Sequence, residues 1–167
     1  DKRNQRFMPT DGYRSSFGQS LPLISDTMAI GNSYEISGYN KLSNDMVSSL
    51  TFYIQAINSL GNKDVKISER IRLPQKKLKG FEYSKIGPVD GGDYVGGNYA
   101  SAVNFSTTLP MFLKSLDSAN VSYFIDLGNV WSVDYSNTVD DSNKIRSATG
   151  LAIDWFTPIG PLNFSLS

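Results

Sequence analysis

Seven stretches of this chain alternate apolar and polar residues with a period of two, and that repeat limits what it can fold into. Residues 13–23 set Tyr13, Phe17, Leu21 and Leu23 against Arg14, Ser16, Gly18 and Ser20. Residues 30–42 set Ile30, Tyr34 and Ile36 against Gly31, Ser33, Glu35 and Ser37. In 47–60, Leu50, Phe52, Ile54 and Ala56 oppose Ser49, Thr51, Tyr53 and Gln55. In 98–109, Tyr99, Val103, Phe105 and Leu109 oppose Ala100, Ala102, Asn104 and Ser106. In 121–131, Val121, Tyr123, Ile125 and Leu127 oppose Ser122, Phe124, Asp126 and Gly128. In 144–156, Ile145, Leu151, Ile153 and Trp155 oppose Arg146, Ala148, Gly150, Ala152 and Asp154. Leu162, Phe164 and Leu166 begin a seventh segment. Such a succession predicts an antiparallel all-β chain, and residues 1–7 read as the tail of one more strand before a turn at Met8-Pro9-Thr10-Asp11-Gly12.

Most segments span about 10–13 residues, longer than the usual 5–6 of globular strands. The charges Arg14, Glu35, Asp126, Arg146 and Asp154 all fall on the polar parity. Because successive side chains point to opposite faces, one face is charge-free and rich in Leu, Ile, Phe, Val and Tyr, which suits lipid. The other, of Ser, Gly, Asn, Ala and charges, suits a wet lumen. Tyr13, Tyr34, Tyr99 and Trp155 lie near segment ends, where aromatic girdles sit. A half-buried soluble sheet produces the same alternation, so parity alone leaves both architectures open. Turns are expected at 8–12, 43–46 and 157–161 on one rim, with longer loops near Ser25-Asp26, after Leu60 and at 132–143 on the other. A turn at 110–120 is somewhat long for the short-turn rim.

Composition removes whole classes of chemistry. Lys+Arg and Asp+Glu are both 16, so the formal net charge is zero, and no basic stripe suggests nucleic acid; Lys76, Lys77 and Lys79 read as isolated charges. Cysteine and histidine are both absent, which excludes disulfides, thiol nucleophiles, His–metal sites and Ser–His triads. No cofactor and no catalytic group is expected. No apolar run reaches 18 residues, which excludes a membrane helix but not a membrane strand. The chain opens on Asp1-Lys2-Arg3-Asn4 and stops at Leu166-Ser167 in mid-pattern, so both ends are expected to be cuts in a longer protein.

The long connection, residues 61–97, stands apart. Its part 67–97, ISERIRLPQKKLKGFEYSKIGPVDGGDYVGG, carries bases, six glycines and two prolines together with Leu78, Phe81, Tyr83, Ile86 and Tyr94. Loops of this length in compact domains are functional or disordered. Composition alone leaves a mobile surface loop open, but the apolar anchors predict that it folds against something.

Several motifs resemble BamA-type outer-membrane β-barrel assembly factors of the POTRA/surface-antigen barrel superfamily. Arg6-Phe7-Met8-Pro9-Thr10-Asp11-Gly12-Tyr13-Arg14 is similar to the family's strand-turn. Ser68-Glu69-Arg70 followed by Leu78-Lys79-Gly80-Phe81 resembles its loop six, which usually carries Arg-Gly-Phe or Arg-Gly-Tyr. Ile86-Gly87-Pro88, Gly96-Gly97-Asn98, the strand Phe124 to Trp131 with its inward Asp126, and the stretch 145–161 follow in the family's order.

The resemblance implies an up-and-down transmembrane barrel, with about seven strands of a 16-stranded wall here and the POTRA repeats, early strands and last strand elsewhere. It implies residence in the outer membrane of a Gram-negative bacterium, unfolded β-barrel clients, accessory assembly lipoproteins and outer-membrane lipid as partners, and no enzyme activity. It implies that loop six folds into the lumen, with Lys79 as docking base and Asp126 as its carboxylate partner. Asn104 stands where the family usually supplies a Glu, as a neutral acceptor. An ammonium lacks the planar fork of a guanidinium, so a looser dock is expected. Gly80 is expected to permit close approach or a positive φ, and Phe81 to pack on the inner wall. Alternatives are a two-partner secretion translocator of the same superfamily or a passive porin. An outer-membrane lipase or protease fits poorly, because no nucleophile–base arrangement is visible.

Overall fold

The computed structural model describes residues 1–22, 28–109, 119–139, 144–157 and 160–167. Nine strands are present among them: β1 (Gly12–Ser20), β2 (Ala29–Ser43), β3 (Met46–Ser59), β4 (Val89–Asp90), β5 (Asp93–Tyr94), β6 (Tyr99–Thr108), β7 (Ala119–Trp131), β8 (Arg146–Thr157) and β9 (Gly160–Leu166). Seven form one antiparallel sheet in the order β1-β2-β3-β6-β7-β8-β9, and β4-β5 form a separate small hairpin. Each long strand thus pairs with its sequence neighbour, apart from β3 and β6, which meet although the long loop lies between them. β1 and β9 are the two edges, so the sheet is an open section of barrel wall.

The strands differ from expectation at their ends. Residues 1–7 form no strand; their backbone instead leans on β1 through bonds from the Lys2 amide to the Tyr13 carbonyl and the Asn4 amide to that of Asp11. The Asn4 side chain accepts from the Thr10 and Asp11 amides, which ties the turn without regular pairing. β1 stops at Ser20, and Lys144 and Ile145 precede β8. The expected end of segment one at Leu23, the loop at Ser25-Asp26, most of the turn at 110–120, residues 140–143 and the 158–159 corner lie outside the described residues.

Cross-strand register turns the sequence parity into two surfaces. One inner row runs Ser37, Thr51, Asn104, Asp126, Ala148 across β2, β3, β6, β7 and β8. The next runs Glu35, Tyr53, Ala102, Gly128, Arg146. On the opposite face Phe17, Phe52, Ile54, Ile125, Leu151 and Phe164 are all exposed. Tyr99 and Trp131 stack with ring centroids 5.9 Å apart at one rim, and Trp155 lies toward the other, while Tyr34 sits deeper, opposite Phe17 and Ile54. A water-facing sheet would leave this apolar surface unpaired; hydrocarbon covers it without cost.

The core lies on the inner face. Ile71, Leu73, Leu78 and Ile86 of the long loop pack on Ala100 and Ala102 of β6 and Val130 of β7, with Tyr53, Ile57, Phe81 and Ala148 at the margin. Of the expected anchors, Tyr83 is exposed instead. The small residues of the wall make the trough: a Cβ on Gly128 would come within 2.9 Å of Leu73 Cδ2.

The two faces predict opposite tolerances. Phe52→Arg, on the apolar face, is expected to lower the stability of the full-length barrel in lipid by about 2–4 kcal/mol. Phe52→Leu should cost far less, and denaturant midpoints in lipid vesicles would measure both.

Candidate functional site

The loop leaves β3 and enters the trough through a short 3-10 turn at Gln75–Lys77, which Pro74 precedes in an extended conformation. Bonds from the Lys77 amide to the Pro74 carbonyl and from the Leu78 amide to that of Gln75 hold this turn. It points Leu78 into the core, where it is 1% exposed, and sends the next residue to the wall of β7.

There Lys79 meets Asp126, which is wholly buried. The ammonium lies 3.1 Å from Oδ2 and 3.5 Å from Oδ1, and the Lys79 backbone amide donates to the same Oδ2 at 3.1 Å. Asn104, directly opposite Asp126 in register, donates its side-chain amide to Oδ1 at 2.8 Å and to the Lys77 carbonyl at 2.8 Å. Asn104 was expected to accept; both of its neighbours are acceptors, so its NH2 must face them and it acts as a donor. The ammonium also stands 4.5 Å from the centroid of the buried Phe124 ring. A lysine alone would hold this carboxylate loosely, but the added backbone donor gives Lys79 two grips on one group.

Magnitudes separate the roles. The ammonium–carboxylate attraction at this distance is about 5 kcal/mol at an effective dielectric near 20. Desolvating the carboxylate costs several kcal/mol, so the pair contributes little net stability while its absence would leave a buried charge unmatched. Burying Ile71, Leu73, Leu78 and Ile86 gives about 1.5–3 kcal/mol each. The apolar cluster therefore carries the weight of the loop, and the polar contacts select its register. Gly80 follows at φ +80, a left-handed position, and a Cβ there would meet Ser167 Oγ at 2.3 Å. Phe81 is half-buried against the cluster.

Two further contacts were not anticipated. Lys77, read from the sequence as an isolated charge, pairs with Glu35 of β2 and lies 4.9 Å from the Tyr53 ring centroid. At the outer end of the loop, the Arg70 side chain is 6% exposed; it donates to the Val65 carbonyl at 3.2 Å and lies 3.9 Å from Asp134 and 4.5 Å from the centroid of the Tyr135 ring. Asp134 also accepts from the Val65 amide, and the Tyr135 hydroxyl donates to Asp90 of β4 at 2.7 Å. The signal for Glu35 was its inward parity. Arg70 and Asp134 lie far apart in the chain, in loops that carry no periodicity.

The Omp85 superfamily domain matches residues 1–167. The chain belongs to the Omp85 superfamily. This Omp85 chain is 25% identical over 171 aligned residues to the outer membrane protein assembly factor BamA of Neorickettsia risticii, covering 100% of the chain and 23% of that protein. It is 27% identical over 143 residues to the human sorting and assembly machinery component 50 homolog, covering 81% of the chain and 30% of that protein. A SAM50-like protein of Schizosaccharomyces pombe is 31% identical over 128 residues, 71% of the chain and 26% of its own length. The crystal structure of BamA from Haemophilus ducreyi lacking POTRA domains 1–3 superposes with a TM-score of 0.84 at 26% identity, over 99% of the chain and 36% of that one. The Omp85 chain thus spans about a quarter to a third of the relatives it matches.

Lys79→Ala removes the ammonium but keeps the backbone donor, and is expected to weaken protection of the amides around Leu78 by about 1.5–3 kcal/mol in hydrogen exchange. Gly80→Ala should lose about 1–2 kcal/mol there, from the left-handed backbone.

The Tyr135 phenol is held above its ordinary value of 10.0, first by the bond it donates to Asp90, then by burial and the Asp90 charge, with Arg70 opposing. Its raised folded value means that the neutral form is the one bonded. The stabilisation is therefore complete below pH 10 and is lost as pH rises through the folded value. Tyr135→Phe should remove the alkaline step in protease sensitivity of the loop.

Proposed function

We propose that this domain is part of the barrel of a machine that folds β-barrel proteins and inserts them into the outer membrane of a Gram-negative bacterium. Loop 61–97 is its lumen plug, docked through Lys79-Gly80-Phe81 on Asp126 and Asn104. The observation that carries this reading is the match to a bacterial BamA along the entire chain, loop included, alongside a barrel superposition of the same extent. The relatives from human and fission yeast are also named for sorting and assembly or likened to SAM50, which supports assembly as the shared activity. They cover less of the chain than the bacterial protein does, which favours the bacterial setting.

The physics of such an activity needs no catalytic group. Backbone amides at a sheet edge cannot remain bare in hydrocarbon. A client strand that pairs with an opened edge of the machine acquires its hydrogen bonds before it enters the bilayer. The present strands supply the scaffold of that barrel and the plug that braces it; POTRA repeats and the seam strands belong to other parts of the full-length protein. Unfolded β-barrel clients, accessory lipoproteins and outer-membrane lipid are its partners, and it is not an enzyme.

Full-length protein reconstituted in lipid vesicles should speed the folding of a urea-unfolded outer-membrane β-barrel several-fold over empty vesicles, and Lys79→Ala should reduce that gain. Equal folding rates with and without the protein would defeat the proposal. Transport of one soluble partner, or solute flux alone, would point instead to a secretion translocator or a porin.

A further inference from the structure

The loop carries two lysines two residues apart, and their ammoniums go to opposite sides of one junction. β3 and β6 pair through nine register positions, from Ser48↔Thr107 to Ala56↔Tyr99, yet the whole loop lies between them in sequence. Closing a pair over a long excursion costs more chain entropy than closing a tight hairpin. It is the place in this wall where sequence adjacency helps least.

Lys77 reaches back over β3 to Glu35 on β2, passing the face of the Tyr53 ring. Lys79 reaches forward over β6 to Asp126 on β7. Between them Asn104 of β6 bonds to the Lys77 carbonyl and to Asp126, so the two grips share one intermediate. The register makes this reach possible: Glu35 and Tyr53 stand in one inner row, and Asn104 and Asp126 in the adjacent row. Lys77 and Glu35 are largely shielded, with side chains 18% and 26% exposed, so their attraction is screened less than that of an open surface pair.

We propose that Lys77 and Glu35 are positioning residues that form a second clasp, so that the loop acts as a cross-brace over β2, β3, β6 and β7 and holds the β3–β6 junction at a set curvature. The lysine in the Lys-Gly-Phe motif is then one half of a two-point grip: what an ammonium lacks in geometric definition is supplied by a second ammonium anchored on β2, three strands away from β7. This claim goes beyond the assembly reading, since it concerns only how the loop is held.

The test is a charge-exchange cycle in the full-length, membrane-embedded protein, read as the rate of protease cleavage within residues 61–97. K77E and E35K alone each place like charges together and should raise that rate at least about fivefold; the double exchange K77E/E35K should bring it back close to the parent rate. Single reversals without effect, or a double variant as labile as the worse single, would overturn the clasp. If a reversal abolishes the heat-modifiable folded form, K77Q and E35Q give the same cycle: the clasp requires their combined loss to be less than additive, and additive losses overturn it. Client folding is not the readout, so failure here leaves the assembly proposal standing, and failure of that proposal leaves this one standing.

Discussion

Asp126 has no contact with solvent, and a carboxylate in that position has to be answered by donors the fold brings to it. Its own strand cannot provide them, because the β7 amides are committed to β6 and β8. One donor comes from the register, which sets Asn104 beside it. The others come from a loop that must leave the sheet, turn at Gln75–Lys77 and return with a lysine whose backbone and side chain both face the wall. Much of the loop's path follows from that need: Pro74 before the turn, Leu78 driven into the core, Gly80 in a left-handed conformation where the chain reverses.

A plug of this kind fits only a wall with room for it. β6 and β7 carry Ala100, Ala102 and Gly128 inward at the level of the loop, and the apolar side chains of Ile71, Leu73, Leu78 and Ile86 occupy the space that larger residues would fill. The result inverts the usual arrangement of a sheet domain. The face with the larger aliphatic and aromatic residues looks outward, and the dry core forms between the polar face and an inserted segment. Both follow from two solvents: hydrocarbon takes the outer side chains, and the loop removes water from part of the inner surface.

The polar contacts divide along the loop. Arg70, Asp134 and Tyr135 gather its outer end near the rim, Lys79 and Asp126 hold its tip, and Lys77 and Glu35 lie alongside the tip on the other side of the β3–β6 junction. Each ion pair alone is close to neutral in free energy. Together they require that Arg70, Lys77 and Lys79 each meet a carboxylate while the apolar cluster is buried.

Period-two alternation over seven segments determined the strands, their antiparallel order and the inward direction of Glu35, Asn104 and Asp126, since parity along a strand is a local property. Strand ends were less legible: at residues 1–7 the backbone bonds to β1 are made without regular pairing, and side-chain capping by Asn4 leaves no periodic trace. The resemblance named Asp126 and Asn104 as company for Lys79, but it gave Asn104 as an acceptor and named no partner for Lys77 or Arg70. That Asn104 donates, that Lys77 finds Glu35 and that Arg70 finds Asp134 depends on the distance and angle between segments 22 to 64 residues apart in the chain. Only the curvature of the assembled wall and the path of the loop across it bring such groups within reach, because ion pairs and hydrogen bonds act over a few ångströms of space and not along the sequence.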